Sequence, residues 1–154
     1  MTIEDHVFGP LRLRDVWIGN ASLSTLGGNV ELQVEPGIGD APPEDSQRRV
    51  FQEFCSALNA QLLLNMHSVL IEYRRRMPGC EDELIGLNGS GSFDSYEEET
   101  IQTLGMPVIF VPPKTAGDSC LIIQWEPLWS AEHGVQIIWS RTGQLDAMPI
   151  GDEE

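Results

Sequence analysis

The chain has 154 residues, of which 41% are hydrophobic and 21% charged, and its formal net charge at pH 7 is −15. This length and composition are typical of one globular domain, so we expect residues 1–154 to share a single core rather than to be disordered. The charge argues against nucleic acid and anionic membranes as partners, because an acidic surface repels both, and it favours a basic protein.

The negative charge is concentrated in the second half of the chain. Residues 80–154 hold fourteen acids against two bases, whereas residues 1–79 hold ten acids against seven bases. Such a field speeds the approach of a cationic partner, and solubility alone is the alternative explanation. We therefore expect an acidic surface in the C-terminal half.

The cysteines and the N-terminus bear on the compartment. Cys55, Cys80 and Cys120 are odd in number and widely spaced, which is typical of reduced thiols rather than of a disulfide framework. Residues 1–9 lack the basic start and apolar stretch of a signal peptide. No segment approaches the roughly 20 apolar residues of a membrane span. These features predict a cytoplasmic protein.

The first third of the chain alternates between apolar and polar residues. From Val7 to Glu35 this alternation predicts two or three antiparallel strands, with turn residues at 27–29. Residues 36–43 form a connection rich in proline and glycine. A helical region is predicted to begin at Pro43, because a proline followed by two acids suits the first turn of a helix.

Apolar residues then recur at steps of three and four, which predicts a helical stripe. They are Phe51, Phe54, Leu58, Leu62, Met66, Val69, Tyr73 and Met77. The stripe fits one long helix or a hairpin of two helices broken near residues 58–60, and the proline and glycine at 78–79 end it. Arg74 to Arg76 lie in its last turn, where positive charge complements the helix dipole. We expect a solvated helix end there, with a contact site as the alternative.

A second, short helix is predicted further along the chain. Ser95 and Glu98 match a capping box, so this helix should run to about Leu104. Glu97, Glu98 and Glu99 would lie in its first turn, where the helix dipole favours acids. The same triplet is a candidate acidic contact for a basic partner.

The last third of the chain is rich in β-forming residues. Four runs separated by proline and glycine predict a four-stranded meander. The runs are Val108–Val111, Cys120–Trp125, Val135–Ser140 and Leu145–Ile150. The predicted fold class is therefore α+β, with antiparallel strands at both ends of the chain packed with a central helical hairpin or long helix and one short helix.

The sequence has no local signature of a metal, cofactor or catalytic site. His6, His67 and His133 are scattered, and no Cys-x-x-Cys or His-x-x-x-His pair occurs. Residues 37–39 lack the third glycine of a dinucleotide-binding turn, and there is no Gly-x-Ser-x-Gly nucleophile elbow. We therefore predict no metal, no cofactor and no catalytic residue.

One compact polar cluster lies between the second and third β runs. It contains Trp125, Glu126, Trp129, Glu132 and His133. Adjacent strand residues face opposite ways, and turn side chains commonly bond to the local backbone, so a structural turn is the favoured interpretation. A binding surface is the first alternative, and acid/base chemistry at Glu132 and His133 is the second.

The same segment carries a family resemblance. Residues 129–135, Trp-Ser-Ala-Glu-His-Gly-Val, precede a strand, a turn and the Ile-Gly-Asp of residues 150–152. This arrangement resembles an uncharacterised bacterial domain family whose members carry Trp-Asp-x-Glu-His-Gly before two final strands, with Ser130 here in place of the aspartate. Proteins similar to that family occur among immunity-like genes of bacterial toxin systems, so the resemblance implies a cognate-binding role and no established enzymatic activity.

Together these observations predict an immunity or antitoxin-like protein, not an enzyme, that binds and occludes a cognate basic toxin. The candidate partner-binding residues are Glu97, Glu98, Glu99, Trp125, Trp129, Glu132 and His133. Acids would steer the partner, and exposed indoles, with Trp139 as a third, would anchor it. An adaptor or homo-oligomeric subunit that associates through the helical stripe is the alternative, and an enzyme using Glu132 and His133 is a third hypothesis.

Overall fold

The computed structural model describes residues 1–77, 95–113, 120–130 and 134–150. Its strands form one sheet of eight, in which the order across the sheet is the order along the chain. The strands are β1 (Thr2–Asp5), β2 (Gly9–Arg14), β3 (Val16–Leu23), β4 (Gly28–Val34), β5 (Val108–Val111), β6 (Cys120–Trp125), β7 (Val135–Ser140) and β8 (Leu145–Met148). The α-helices of the described ranges are α1 (Asp45–Ala57), α2 (Ala60–Arg76) and α3 (Tyr96–Gln102), all between β4 and β5. The predicted α+β class is confirmed.

The first four strands form an antiparallel meander, where the alternation predicted two or three strands. The additional strand is β1, whose buried position is occupied by Asp5. A charged residue at an inward position hides the period of two from which strands are recognised. The predicted turn before β4 is present, with Gly27 at φ 107° and Gly28 at φ 129°, a region that favours glycine.

The last four strands form a second antiparallel meander, as predicted. Strands β4 and β5 join the two meanders as a parallel pair, with Leu32 beside Ile109. Parallel neighbours need a crossover connection, which here contains the helices. The predicted bounds of β5, β6 and β7 are confirmed, and β8 ends at Met148 rather than at Ile150.

Helix α1 starts directly after Glu44, close to the predicted start at Pro43. The Glu44 side chain accepts from the backbone of Gln47, and Gln47 Oε1 accepts from the Glu44 amide at 2.8 Å, which makes a reciprocal capping box. The buried Gln47 side chain also donates to the carbonyl oxygens of Glu35 at 2.8 Å and Val111 at 3.2 Å. It thereby fastens α1 to the carboxyl ends of β4 and β5.

Helices α1 and α2 are separate and bent by 99° relative to each other. The break falls at Leu58 and Asn59, where Asn59 Oδ1 accepts from the Leu62 amide at 2.8 Å and caps α2. The two-helix alternative is therefore confirmed, and a single long helix is wrong. No single helix within the described ranges is long and apolar enough to cross a membrane, and only α1 and α2 taken together have the length and composition.

The core lies between these helices and one face of the sheet, here called the inner face. Phe54 of α1 meets Trp139 of β7 edge-on, with ring centroids 5.3 Å apart. The predicted stripe supplies the helical half of the core: Phe51, Phe54, Met66 and Tyr73 are buried, and Leu58, Leu62, Val69 and Met77 are partly buried against them. Each fully buried side chain of this size contributes about 1.5–3 kcal/mol.

Asp5 ties the first strand to α1. Its Oδ2 accepts from the amides of Val7 and Phe8, each at 3.0 Å. Its Oδ1 accepts from the Arg48 guanidinium, at 2.9 Å from Nε and 2.7 Å from Nη2. Burial alone would raise the pKa of this carboxyl, but the hydrogen bonds from Arg48, Phe8 and Val7 outweigh burial and hold the pKa below its ordinary value. Asp5 is therefore a source of stability that depends on pH.

Replacing Asp5 with asparagine should lower the free energy of unfolding at pH 7 by about 1–3 kcal/mol, because charge-assisted hydrogen bonds are lost in a buried place. A carboxyl whose pKa is depressed by folding contributes stability above its unfolded pKa of about 3.9 and loses it as pH falls through the folded value. The difference in the free energy of unfolding between wild type and Asp5→Asn should thus become smaller below about pH 4. Urea unfolding between pH 7 and pH 3 measures this.

The matched control is Asp45→Asn, because Asp45 pairs with the same guanidinium at 2.7 Å but is 84% exposed. This variant should unfold nearly as the wild type does at every pH. If the difference in the free energy of unfolding between wild type and Asp5→Asn stayed constant from pH 7 to pH 3, the ionised carboxylate would not be what stabilises the contact between β1 and α1.

Candidate binding surface

The structure separates the members of the predicted acidic contact. Glu97 and Glu98 are exposed at the start of α3, where Ser95 Oγ accepts from the Glu98 amide at 3.0 Å as the capping box predicted. Glu99 is instead buried, with 1% of its surface exposed. Its place in the predicted partner contact is therefore wrong, because a buried carboxylate presents no surface to a partner.

Glu99 belongs to a buried ion pair with Arg74 of α2. Arg74 Nη2 lies 2.9 Å from Glu99 Oε1, and Nη1 donates to Thr100 Oγ1 at 2.8 Å. The guanidinium carbon lies 4.4 Å from the centroid of the Tyr96 ring and 5.6 Å from that of Trp129. This cluster joins α2 to α3, since a charge removed from water must be paired.

The prediction of a solvated helix end is consequently wrong for Arg74 and holds for Arg75 and Arg76, which are exposed. The helix dipole favours all three arginines equally and does not show which one points inward. Helical spacing does, because Arg74 follows the buried Met66 and Leu70 at steps of four.

The indoles proposed as anchors are core residues. Trp125 is 4% exposed, Trp129 0% and Trp139 3%. Trp129 packs against Tyr73 and donates from Nε1 to the Thr100 carbonyl at 3.1 Å. The assignment of Trp125 and Trp129 to a partner contact is therefore corrected, because neither offers an accessible ring.

Glu132 and His133 lie outside the described residues, whereas the flanking Ser130 and Gly134 are described. The Gly134 amide donates to the Ser130 carbonyl at 2.9 Å. Gly134 has φ 69°, and a Cβ there would lie 2.9 Å from the Trp125 carbonyl oxygen. The interpretation of residues 131–133 as a structural turn stays a prediction.

A different surface becomes visible on the sheet. Alternate strand residues point away from the core, to a face here called the outer face, on which Gln136 is buried and the side chains of the central strands are otherwise mostly half-buried. One row crosses this face through seven strands by direct pairing of neighbours. In order it contains Arg12, Ile18, Gln33, Phe110, Ile122, Ile138 and Asp146. Its apolar members are half-buried, and the charged residues at its two ends are exposed.

Side-chain amides frame this row. Gln124 Nε2 donates to Gln136 Oε1 at 3.1 Å, and Gln33 Nε2 donates to Glu31 Oε2 at 2.6 Å. These bonds fix the orientation of the amides while leaving further donor and acceptor capacity. An apolar centre inside a polar frame is the usual composition of a protein–protein interface.

Two of the described acids of the C-terminal half, Glu126 and Asp146, lie on or beside the outer face. Glu97 pairs with Arg75, and Glu99 with Arg74, so the charge of both is compensated. Asp146 is exposed on the outer face at β8, and Glu126 is exposed directly after β6. Uncompensated negative charge thus borders the outer face.

Titratable groups elsewhere behave as packed residues. Burial lowers the pKa of His67, which favours the neutral imidazole, and raises the pKa of the Cys55 thiol, which favours its protonated form. Within the described ranges, no group of three or more histidines, cysteines or acids could hold a metal ion.

Sequence reasoning missed the residues of the outer face, although a signal for them exists. Residues 108–111 read Val-Ile-Phe-Val and residues 121–123 read Leu-Ile-Ile. Strands with one face in water alternate, whereas continuous apolar runs are typical of strands covered on both faces. Apolar residues on both faces of β5 and β6 thus indicate a second surface for contact.

Comparisons with known proteins add no relatives. No family model matches the chain, and neither the curated proteins nor the solved structures contain a significant match. The resemblance carried by residues 129–135 therefore stays a prediction.

Proposed function

We propose that this protein binds a basic protein through the outer face of its sheet, and that it acts as an immunity or antitoxin-like protein whose binding occludes a toxin. The observation that carries the proposal is the row that contains Ile18, Phe110, Ile122 and Ile138 on the face opposite the core, where these side chains stay partly exposed. Apolar side chains aligned on an open face gain free energy when a partner removes them from water.

The charge supports a basic partner over a second copy of the same chain. Two copies would bring together two charges of −15, which disfavours self-association. A cationic surface would instead be drawn towards Glu31, Glu126 and Asp146, which are exposed on or beside this face. The toxin-system role comes from the family resemblance alone.

The alternative of an adaptor or homo-oligomer that associates through the helical stripe has less support. That hypothesis needs an exposed apolar helix face, whereas the stripe packs into the core. The enzyme hypothesis rests on Glu132 and His133, which lie outside the described residues.

The test uses partner captured from the native host, or the product of the adjacent gene, with Kd measured by surface-based kinetics. Phe110→Thr keeps a β-forming residue and removes the central ring, so Kd should weaken about tenfold or more. The control is Leu64→Gln, because Leu64 is 58% exposed on α2, away from the outer face; its Kd should stay near that of wild type. The association rate should fall between about 50 and 500 mM salt, as the Debye length shortens from roughly 14 to 4 Å.

Equal binding by wild type and Phe110→Thr would contradict the outer face as the interface. The other candidate for this face is a second copy of the same chain. Sedimentation equilibrium of the protein alone tests this possibility. A dimer that Phe110→Thr dissociates would replace the basic partner with a second copy.

A further inference from the structure

A hollow of about 340 Å³ lies where the outer face meets the segment before β5. Its floor includes Val108 and Gln124, which face each other across β5 and β6. Met106 and Ile150 form apolar walls, and Glu126 also lines it. This volume is at the lower end of the roughly 300–1,000 Å³ of small-molecule sites, so the hollow suits one inserted side chain.

The walls favour a flexible apolar stem. Met106 is 53% exposed although its side chain is apolar, and its unbranched thioether adapts to different shapes. Arginine and lysine bury an aliphatic stem against such surfaces while the charged head reaches polar groups. The hollow therefore does not need a purely apolar ligand.

The polar groups of the hollow favour a ligand that donates hydrogen bonds. The Gln124 amide is oriented by its bond from Nε2 to Gln136 Oε1, and it keeps its carbonyl oxygen as an acceptor together with one further N–H. The Glu126 carboxylate is exposed, and no basic group in the described part of the chain forms an ion pair with it. An arginine fork carries five donors and no acceptor, which matches two neighbouring acceptors.

We infer that this hollow receives one arginine side chain of the basic partner, with its stem against Met106 and Ile150 and its guanidinium at Glu126 and Gln124. The inference rests on the proposed function for the partner's identity as a basic protein. It adds a specific point of recognition beside the middle of the apolar row, where the charge and the shape of one inserted side chain are both recognised.

The test needs no partner. N-acetyl-arginine N-methylamide is titrated into the isotopically labelled protein up to tens of millimolar, and the methyl signals of Met106 and Ile150 are followed by NMR. N-acetyl-citrulline N-methylamide, of equal size but neutral, is the comparison ligand. The arginine probe should shift both methyl signals saturably, and the citrulline probe should not.

Glu126→Gln should weaken binding of the arginine probe by about fivefold, the upper range for a solvent-accessible ion pair. Asp146→Asn is the matched control, because it removes the same charge from the outer face outside the hollow; the probe should bind it as it binds wild type. Equal shifts by the two probes, shifts confined to other residues, or no shifts at all would overturn the inference.

The two proposals fail separately. If the arginine probe does not shift the signals of the hollow while Phe110→Thr still weakens the Kd of the partner, the outer face remains the proposed interface and the arginine site is excluded. If the probe binds as expected but Phe110→Thr leaves the Kd of the partner unchanged, the hollow is a cation site outside the main interface.

Discussion

Replacing Glu99 with alanine is expected to lower the free energy of unfolding by about 3–5 kcal/mol, because it removes one partner of a buried ion pair. Arg74 and Glu99 have 0% and 1% of their side chains exposed. Among the described contacts of Arg74, the Thr100 hydroxyl and the rings of Tyr96 and Trp129 are neutral groups. Urea unfolding at pH 7 gives the free energy directly.

The control for this variant lies on the same helix. Glu97→Ala removes a carboxylate that is half exposed and pairs with the exposed Arg75, so the stability should change little. A double variant, Arg74→Met with Glu99→Leu, should recover most of the loss, since an apolar pair of similar volume needs no charge compensation. If Glu99→Ala and Glu97→Ala proved equally stable, the buried pair would not hold α3 in place.

Gly134→Ala is the second large effect, with an expected loss in the free energy of unfolding of about 2–5 kcal/mol. The backbone at φ 69° costs a residue with a side chain about 1–2 kcal/mol. The added methyl would also lie 2.7 Å from Ile150 Cδ1 and 2.9 Å from the Trp125 carbonyl oxygen, and the carbonyl belongs to a paired strand. Overpacking of this kind costs a further 1–3 kcal/mol or so.

Gly143→Ala separates the two contributions. Gly143 has φ 92°, and nothing lies within 4 Å of a Cβ built there, so only the backbone cost applies. Thermal unfolding should place the melting temperature of Gly134→Ala several degrees below that of Gly143→Ala. Equal melting temperatures would mean that Ile150 and the Trp125 carbonyl move aside without cost.

Local signals account for most of the fold that the sequence predicts. Proline and glycine bound the β runs of the last third, and the bounds of β5, β6 and β7 follow from them. The predicted capping residue Ser95 likewise acts within three residues of itself. Such features are legible because the atoms that interact are neighbours along the chain.

The parts that were missed depend on partners far along the chain. Strands β4 and β5 were each foreseen, but their parallel pairing unites distant segments. Arg74 and Glu99 were both noticed as helix-end charges, and only the packing of α2 against α3 shows that they neutralise each other.

The candidate site was predicted least well, for a related reason. Acids and indoles were chosen by type, yet burial removed Glu99, Trp125 and Trp129 from the surface. The outer row has no local motif, because its members come from separate strands and become neighbours only through register. Their common property, an apolar side chain opposite the core face, appears only once the core face is known.

The parallel pairing of β4 with β5 also sets an order of events during synthesis. Strand β4 completes the first meander, but its partner begins only at Val108, so residues 35–107 must be made first. At about 5–20 residues per second this interval lasts on the order of 4–15 s. During this interval, the side of β4 that later pairs with β5 has no partner strand. The strand includes Val30, Leu32 and Val34, and exposed strand edges pair readily with strands of other chains. The nascent chain is therefore most exposed to aggregation, and most in need of chaperones, in the seconds between its two half-sheets.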